Sequence, residues 1–84
     1  MNLNIIDWND ELPAELEAFY DANQSTAHKR ELPDYDTTIY WLYTTYENQK
    51  VTISWADDFM GRIVVWAYGE LSGKKLEKDF LLGA

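Results

Sequence analysis

Between Thr37 and Trp55 an extended chain would carry large apolar side chains on both of its faces. In TTIYWLYTTYENQKVTISW, Ile39, Trp41 and Tyr43 point one way, while Tyr40, Leu42 and Tyr46 point the other, because side chains alternate along a strand. A sheet with one solvated face alternates apolar with polar residues instead. A fold built on this hairpin must therefore cover both faces. One face takes a layer of the chain's own; the second is covered either by the C-terminal segment or by a partner.

The first layer is legible as an amphipathic helix in DWNDELPAELEAFYDANQ. Leu12, Leu16, Phe19 and Tyr20 recur at helical spacing and make one apolar stripe. Asn9 or Asp10 is the expected cap, Pro13 is expected in the first turn, and the helix should end near Asn23. QSTAHKRELPDYD reads as a loop, since Pro33 forbids a continuing helix. NLNII near the start is a candidate short strand.

Three strands then follow, with expected bounds of Thr37–Tyr46, Val51–Ala56 and Arg62–Tyr68. They are joined by a turn at Glu47-Asn48-Gln49-Lys50 and by DDFMG, where Gly61 supplies a permissive φ. Tight connections make this an antiparallel meander. The N-terminal helix is expected to cover the face with Val51, Ile53 and Trp55, leaving some of Tyr40, Tyr46, Trp66 and Tyr68 on the other face. SGKKLEKDFLLGA is either a short helix capped by Ser72, docking Leu76, Phe80 and Leu81, or a fourth strand over Leu76–Leu82. Good helix formers tilt the reading towards the helix. The expected class is α+β: one N-terminal amphipathic helix packed on a three- to four-stranded antiparallel β-meander, with a short C-terminal helix or strand. At 84 residues, this makes one domain spanning 1–84.

Residue types narrow the chemistry. There is no cysteine and one histidine, so disulfides, thiolate metal sites and a cysteine nucleophile are excluded. Asp57-Asp58 with Glu47 lacks the alternate-position acids of a calcium loop. Ser25, Thr26 and His28 do not form a nucleophile motif, and no glycine-rich phosphate loop is present. The expectation is a non-enzymatic chain with no cofactor and no metal. The N-terminus lacks the basic and apolar regions of a signal peptide, and no apolar run approaches a bilayer span. The expected location is the cytoplasm.

Charge is the other strong signal. The net charge is −8, and residues 1–36 hold nine acids against only Lys29 and Arg30. Such a field repels nucleic acid and anionic membranes and attracts basic surfaces. On a helical wheel, Asp10, Glu17 and Asp21 fall on one flank of the apolar stripe, with Glu11 and Glu15 on the other. Five carboxylates along about 16 Å of helix approach the ~3.4 Å phosphate spacing of one DNA strand, which is the basis for expecting nucleic-acid mimicry.

Leu12, Pro13, Phe19 and Asn23 resemble the Leu-Pro-initiated helix ending in Asn of a superfamily of bacterial toxin-immunity proteins related to a yeast cell-wall regulator. No glycine follows Asn23, and the chain is shorter than that fold. In style, a small, acidic, cysteine-free chain is also similar to phage anti-defence proteins, among them anti-CRISPR and anti-restriction proteins.

The expected function is thus a small acidic protein inhibitor, anti-CRISPR-like or immunity-protein-like. Its partner would be a basic protein or complex that handles nucleic acid. Asp10, Glu17 and Asp21 would meet its cations, and Tyr40, Tyr46 and Trp66 would anchor the contact. No direct binding of nucleic acid or membrane is expected, and the chain would be a monomer or homodimer. The alternatives are a glycan- or ligand-binding module using a Trp/Tyr face, and a self-associating structural domain.

Overall fold

The computed structural model describes residues 5–8, 12–58 and 61–81. Five strands form one antiparallel sheet: β1 (Ile5–Trp8), β2 (His28–Leu32), β3 (Thr37–Tyr46), β4 (Gln49–Asp58) and β5 (Gly61–Tyr68), in the spatial order β1-β5-β4-β3-β2. Strands β2 to β5 are a four-stranded meander, and β1 adds to its far edge beside β5. Helix α1 (Ala14–Asn23) lies on one face and α2 (Gly73–Leu81) on the other.

The α+β class, the N-terminal helix and the C-terminal helix are as expected; several boundaries differ. Helix α1 begins at Ala14, because Pro13 is extended (ψ 146°) and its carbonyl accepts the first helical bond, from Glu17 N–H at 2.9 Å. A proline also pushes the residue before it out of the helical region, so Leu12 cannot continue a helix into Pro13. The expected caps Asn9 and Asp10, and with them Glu11, lie outside the described residues.

The presumed loop from Gln24 to Asp36 contains β2, flanked by short 3-10 turns at Gln24–Thr26 and Pro33–Tyr35. His-Lys-Arg-Glu carries no apolar alternation because β2 is an edge strand that buries only Leu32. Its stability comes from unbroken pairing with β3, from His28 opposite Trp41 to Leu32 opposite Thr37. Asp36, at φ 52°, then reverses the chain.

The β3–β4 turn is shorter than expected. Glu47 and Asn48 both take positive φ (52° and 61°), and Tyr46 already pairs with Gln49. Two residues in that conformation form the mirror-image turn whose twist matches antiparallel strands.

Register settles which side chains share a face, since residues directly opposite each other point the same way. Tyr40 pairs with Trp55, Leu42 with Ile53, Ile53 with Trp66 and Val51 with Tyr68. Tyr40, Tyr46, Trp66 and Tyr68 therefore sit on the same side as Val51, Ile53 and Trp55, beneath α1, and not on the opposite face as expected. Leu16 and Tyr20 of α1 complete this core, with Leu12 and Phe19 packed against it.

The other face is shallower where β4 presents Thr52, Ser54 and Ala56, and Ala67 stands opposite Thr52. These small side chains let α2 approach closely. Leu32, Ile39, Ala67, Leu71 and Leu76 make the second core, with Trp41 and Phe80 at its margin. Ser72 caps α2: its hydroxyl accepts from Lys75 N–H at 3.3 Å and its carbonyl from Leu76 N–H at 3.0 Å. Thr52 Oγ1 donates to the Gly69 carbonyl (2.7 Å) and accepts from Leu71 N–H (2.9 Å), which holds the segment that leads into α2. The C-terminal segment thus covers the second aromatic face.

Candidate functional site

With both faces covered, candidate surfaces lie where α1 stops short of the sheet. Ten residues of α1 span about 15 Å, whereas the ten residues of β3 and of β4 each run about 33 Å. Among the described residues, two clefts open beside the helix.

The first cleft, about 490 Å³, is lined by Glu15 of α1 and by Thr45, Tyr46, Glu47 and Asn48 around the β3–β4 turn. It is acidic at both rims. Tyr46 is half-buried, with its ring edge-on to Trp66 at 5.8 Å between centroids. Tyr68 Oη donates to Glu47 Oε1 at 2.5 Å. That hydrogen bond to a carboxylate favours the neutral phenol, so the Tyr68 pKa is pushed up to about 12.

The second cleft, about 320 Å³, is lined by Gln24, Ser25, Tyr40, Trp55, Asp57 and Arg62. Asp57 and Arg62 face each other across β4 and β5. The guanidinium meets the carboxylate through two bonds: Nε to Oδ1 at 2.7 Å and Nη2 to Oδ2 at 3.1 Å. Nη1 also donates to Tyr20 Oη (2.6 Å) and to Gln24 Oε1 (3.3 Å). The hydrogen bonds to Asp57 raise the Arg62 pKa further above its ordinary value, against the opposing pull of burial. Arg62 is therefore a permanent cation already engaged by its own chain, tying the end of α1 to the sheet. Tyr40 stacks on Trp55 at 5.5 Å and 14°.

The five predicted contact residues that are described separate into three groups. Glu17 and Asp21 are exposed on α1, as is Glu15. Tyr46 lines the first cleft and Tyr40 the second, at different places along β3. Trp66 is 5% exposed and lies in the core beneath α1, so it cannot anchor a partner as expected. Asp10 lies outside the described residues, so the helix carries three of the five carboxylates from which phosphate-like spacing was counted.

Among the described residues, none of Glu15, Glu17 and Asp21 has an ion-pair or hydrogen-bond partner, whereas other charges pair elsewhere, among them Arg30 with Glu77, Lys50 with Glu70 and Arg62 with Asp57. The cations Lys74, Lys75 and Lys78 ride on α2, across the sheet from the α1 acids. The uneven charge along the sequence thus becomes an anionic α1 side in space.

The residues considered for catalysis are not brought together. His28 stacks on Trp41 (5.5 Å, 26°) on the α2 side, while Ser25 lines the second cleft on the α1 side. Thr26 Oγ1 is occupied by the Asn23 carbonyl at 3.1 Å. Glu47 and Asp57 stand at opposite ends of β4. Among the described residues, no three His, Cys, Asp or Glu side chains are grouped to hold a metal ion, and no helix is long and apolar enough to cross a membrane.

The second cleft escaped the sequence reading, though a signal existed. Asp57 opens DDFMG and Arg62 follows its last residue, and opposite charges placed directly across a tight turn become a cross-strand pair. Compared with known proteins, the chain matches no family model, no curated protein and no solved structure.

Proposed function

We propose that this chain is a small, non-enzymatic inhibitor that binds a basic protein or complex handling nucleic acid, presenting the α1 side as its contact. The observation that carries this reading is the set of unpartnered, exposed carboxylates on α1 beside a cleft whose rims are Glu15 and Glu47. Charges satisfied within a chain add little to recognition, whereas spare charges of one sign steer a complementary surface towards them. Tyr46, with one edge open to the cleft, offers apolar area where a lysine or arginine stem could pack while its head meets Glu15 or Glu47.

In this reading Glu15, Glu17, Asp21 and Glu47 set the on-rate and specificity, and Tyr40 and Tyr46 slow dissociation. The resemblance in style to phage anti-defence and immunity proteins supports the same class. Mimicry of nucleic acid remains part of the proposal, resting on the sign of the field more than on its spacing. A glycan platform draws less support, because Trp55 and Trp66 are core residues and Tyr43 spends its hydroxyl on the Leu71 carbonyl at 2.8 Å.

The test is capture from host lysate on the immobilised chain, washed first at about 0.05 M and then at about 0.5 M salt, where the Debye length falls several-fold. The expected result is a basic nucleic-acid-handling protein released by salt, whose activity the chain suppresses. The combined variant Glu15→Gln, Glu17→Gln, Asp21→Asn should fail to hold it. Undiminished capture by that variant would remove α1 from the contact; absence of any captured protein would overturn the inhibitor reading.

A further inference from the structure

The sheet ends at two strands, and they are not alike. The β1 edge is four residues long, and its pairing with β5 slips between Ile5 and Asp7; such irregularity discourages a further strand. The β2 edge is five residues long and paired to β3 without a slip. Its outer side faces no other strand among the described residues. Lys29 and Glu31 are exposed and, among the described residues, lack ion-pair partners.

We propose that the outer edge of β2 joins two copies of this chain, antiparallel and centred on Arg30, so that two five-stranded sheets run on as one. A two-fold axis perpendicular to the sheet keeps each face on its own side. Residues directly opposite must therefore share a face, and the axis must pass through a residue rather than between two.

Three registers satisfy this condition on so short a strand. Centring on Lys29 sets the two Lys29 side chains, without ion-pair partners among the described residues, opposite each other and places Glu31 against Ala27, so no acid answers either lysine. Centring on Glu31 sets the two Glu31 side chains together and places Lys29 against Pro33, which has no N–H to give a ladder.

Centring on Arg30 sets each Lys29 opposite Glu31 of the second copy, twice over, on the α1 side. On the α2 side the two Arg30 side chains meet, but each is already neutralised by its own Glu77 (Nε to Oε2, 2.7 Å). The same charges that would blunt this edge against an unrelated strand become self-complementary against a second copy. The net charge of −8 opposes association at long range. At about 0.15 M salt, charges more than ~8 Å apart are largely screened, while directly opposed side chains are closer than that.

Both α1 helices then lie on one side of the continuous sheet. This goes beyond the inhibitor reading and stands or falls independently of it.

Sedimentation velocity over about 1 µM to 1 mM, a span that covers weak homodimers, provides the test. The expected mass rises with concentration from 9.9 kDa towards twice that value. Lys29→Glu alone or Glu31→Lys alone should each raise the dissociation constant about ten-fold or more, since each reversal sets two like pairs face to face. The combined Lys29→Glu/Glu31→Lys variant, which restores opposite charges, should return to within about three-fold of the original. The neutral variants Lys29→Gln and Glu31→Gln read the same edge with smaller losses, and thermal melts at low concentration verify that each monomer is folded. A 9.9 kDa species at every concentration overturns the proposal. So does a dimer indifferent to single reversals, or one that the double reversal fails to restore.

Discussion

Thr52 is 1% exposed, and its hydroxyl is the junction between the central strand and the segment that launches α2. Thr52→Val keeps the shape and removes both hydrogen bonds. Leu71 N–H, buried with its residue at 1% exposure, loses its acceptor. Leaving such a donor unsatisfied costs about 1–3 kcal/mol, and losing the bond to the Gly69 carbonyl adds about 0.5–1.5 kcal/mol. Burying a methyl where a hydroxyl stood offsets about 0.8 kcal/mol. The expected net loss is about 2–3 kcal/mol, large against the roughly 4–13 kcal/mol that a chain of this size commands. In urea, with a slope near 1 kcal/mol/M, the midpoint should fall by about 2–3 M, and Tm by about 10–20 °C. Tryptophan fluorescence follows the transition. Thr52→Ser keeps the hydroxyl and should cost only about 1 kcal/mol, for the lost methyl. A valine variant within about 0.5 kcal/mol of the original, or a serine variant less stable than valine, would refute the assignment of this energy to the two bonds.

In an ultraviolet titration the Tyr68 phenolate should appear late, near 12, and Glu47→Gln should bring it back towards 10. Because the folded pKa lies above the unfolded one, whatever stability this bond contributes is intact below about pH 10 and lost as pH rises towards 12. Gly73→Ala would place a Cβ 2.6 Å from Trp41 Cη2, and Trp41 is held by its Nε1–H bond to Tyr43 Oη at 3.0 Å; the expected cost is about 1–3 kcal/mol from overpacking, with altered near-ultraviolet circular dichroism, and an unchanged melt would contradict the close seating of α2. Arg62→Met should destabilise by about 1 kcal/mol, since the group is partly exposed, and should speed amide exchange in the last turn of α1; exchange unaltered there would mean that Arg62 does not secure the helix end.

Elements with strong periodicity were legible from the residues, and elements held by neighbours were not. Leu16 and Tyr20 announced a helix, and the two-faced aromatics of β3 announced a sheet needing two covers, because burial writes its period directly into the chain. Strand β2 was invisible: a charged edge strand owes its conformation to hydrogen bonds with β3, and backbone pairing leaves no mark on side-chain pattern. That Tyr40, Tyr46, Trp66 and Tyr68 share a face with Val51, Ile53 and Trp55 is not legible from the residues, because alternation fixes faces only within one strand. Relating two strands requires the register, which here depends on a two-residue turn at Glu47-Asn48 where four residues were expected. Of the candidate contacts, the exposure of Glu17 and Asp21 followed from their place off the apolar stripe. The burial of Trp66 did not follow, since it depends on α1 lying over that part of β5.

The position of α2 behind all five strands in chain order has a consequence for truncation. Everything that builds the core beneath α1 lies before Gly69, whereas the cover for Ile39, Ala67 and Leu71 is supplied by α2. A protease cut between Tyr68 and Gly73 would therefore strip one face and spare the other. The fragment left behind would carry one sealed face and one apolar, hydrogen-bonded sheet surface, which is an aggregation liability.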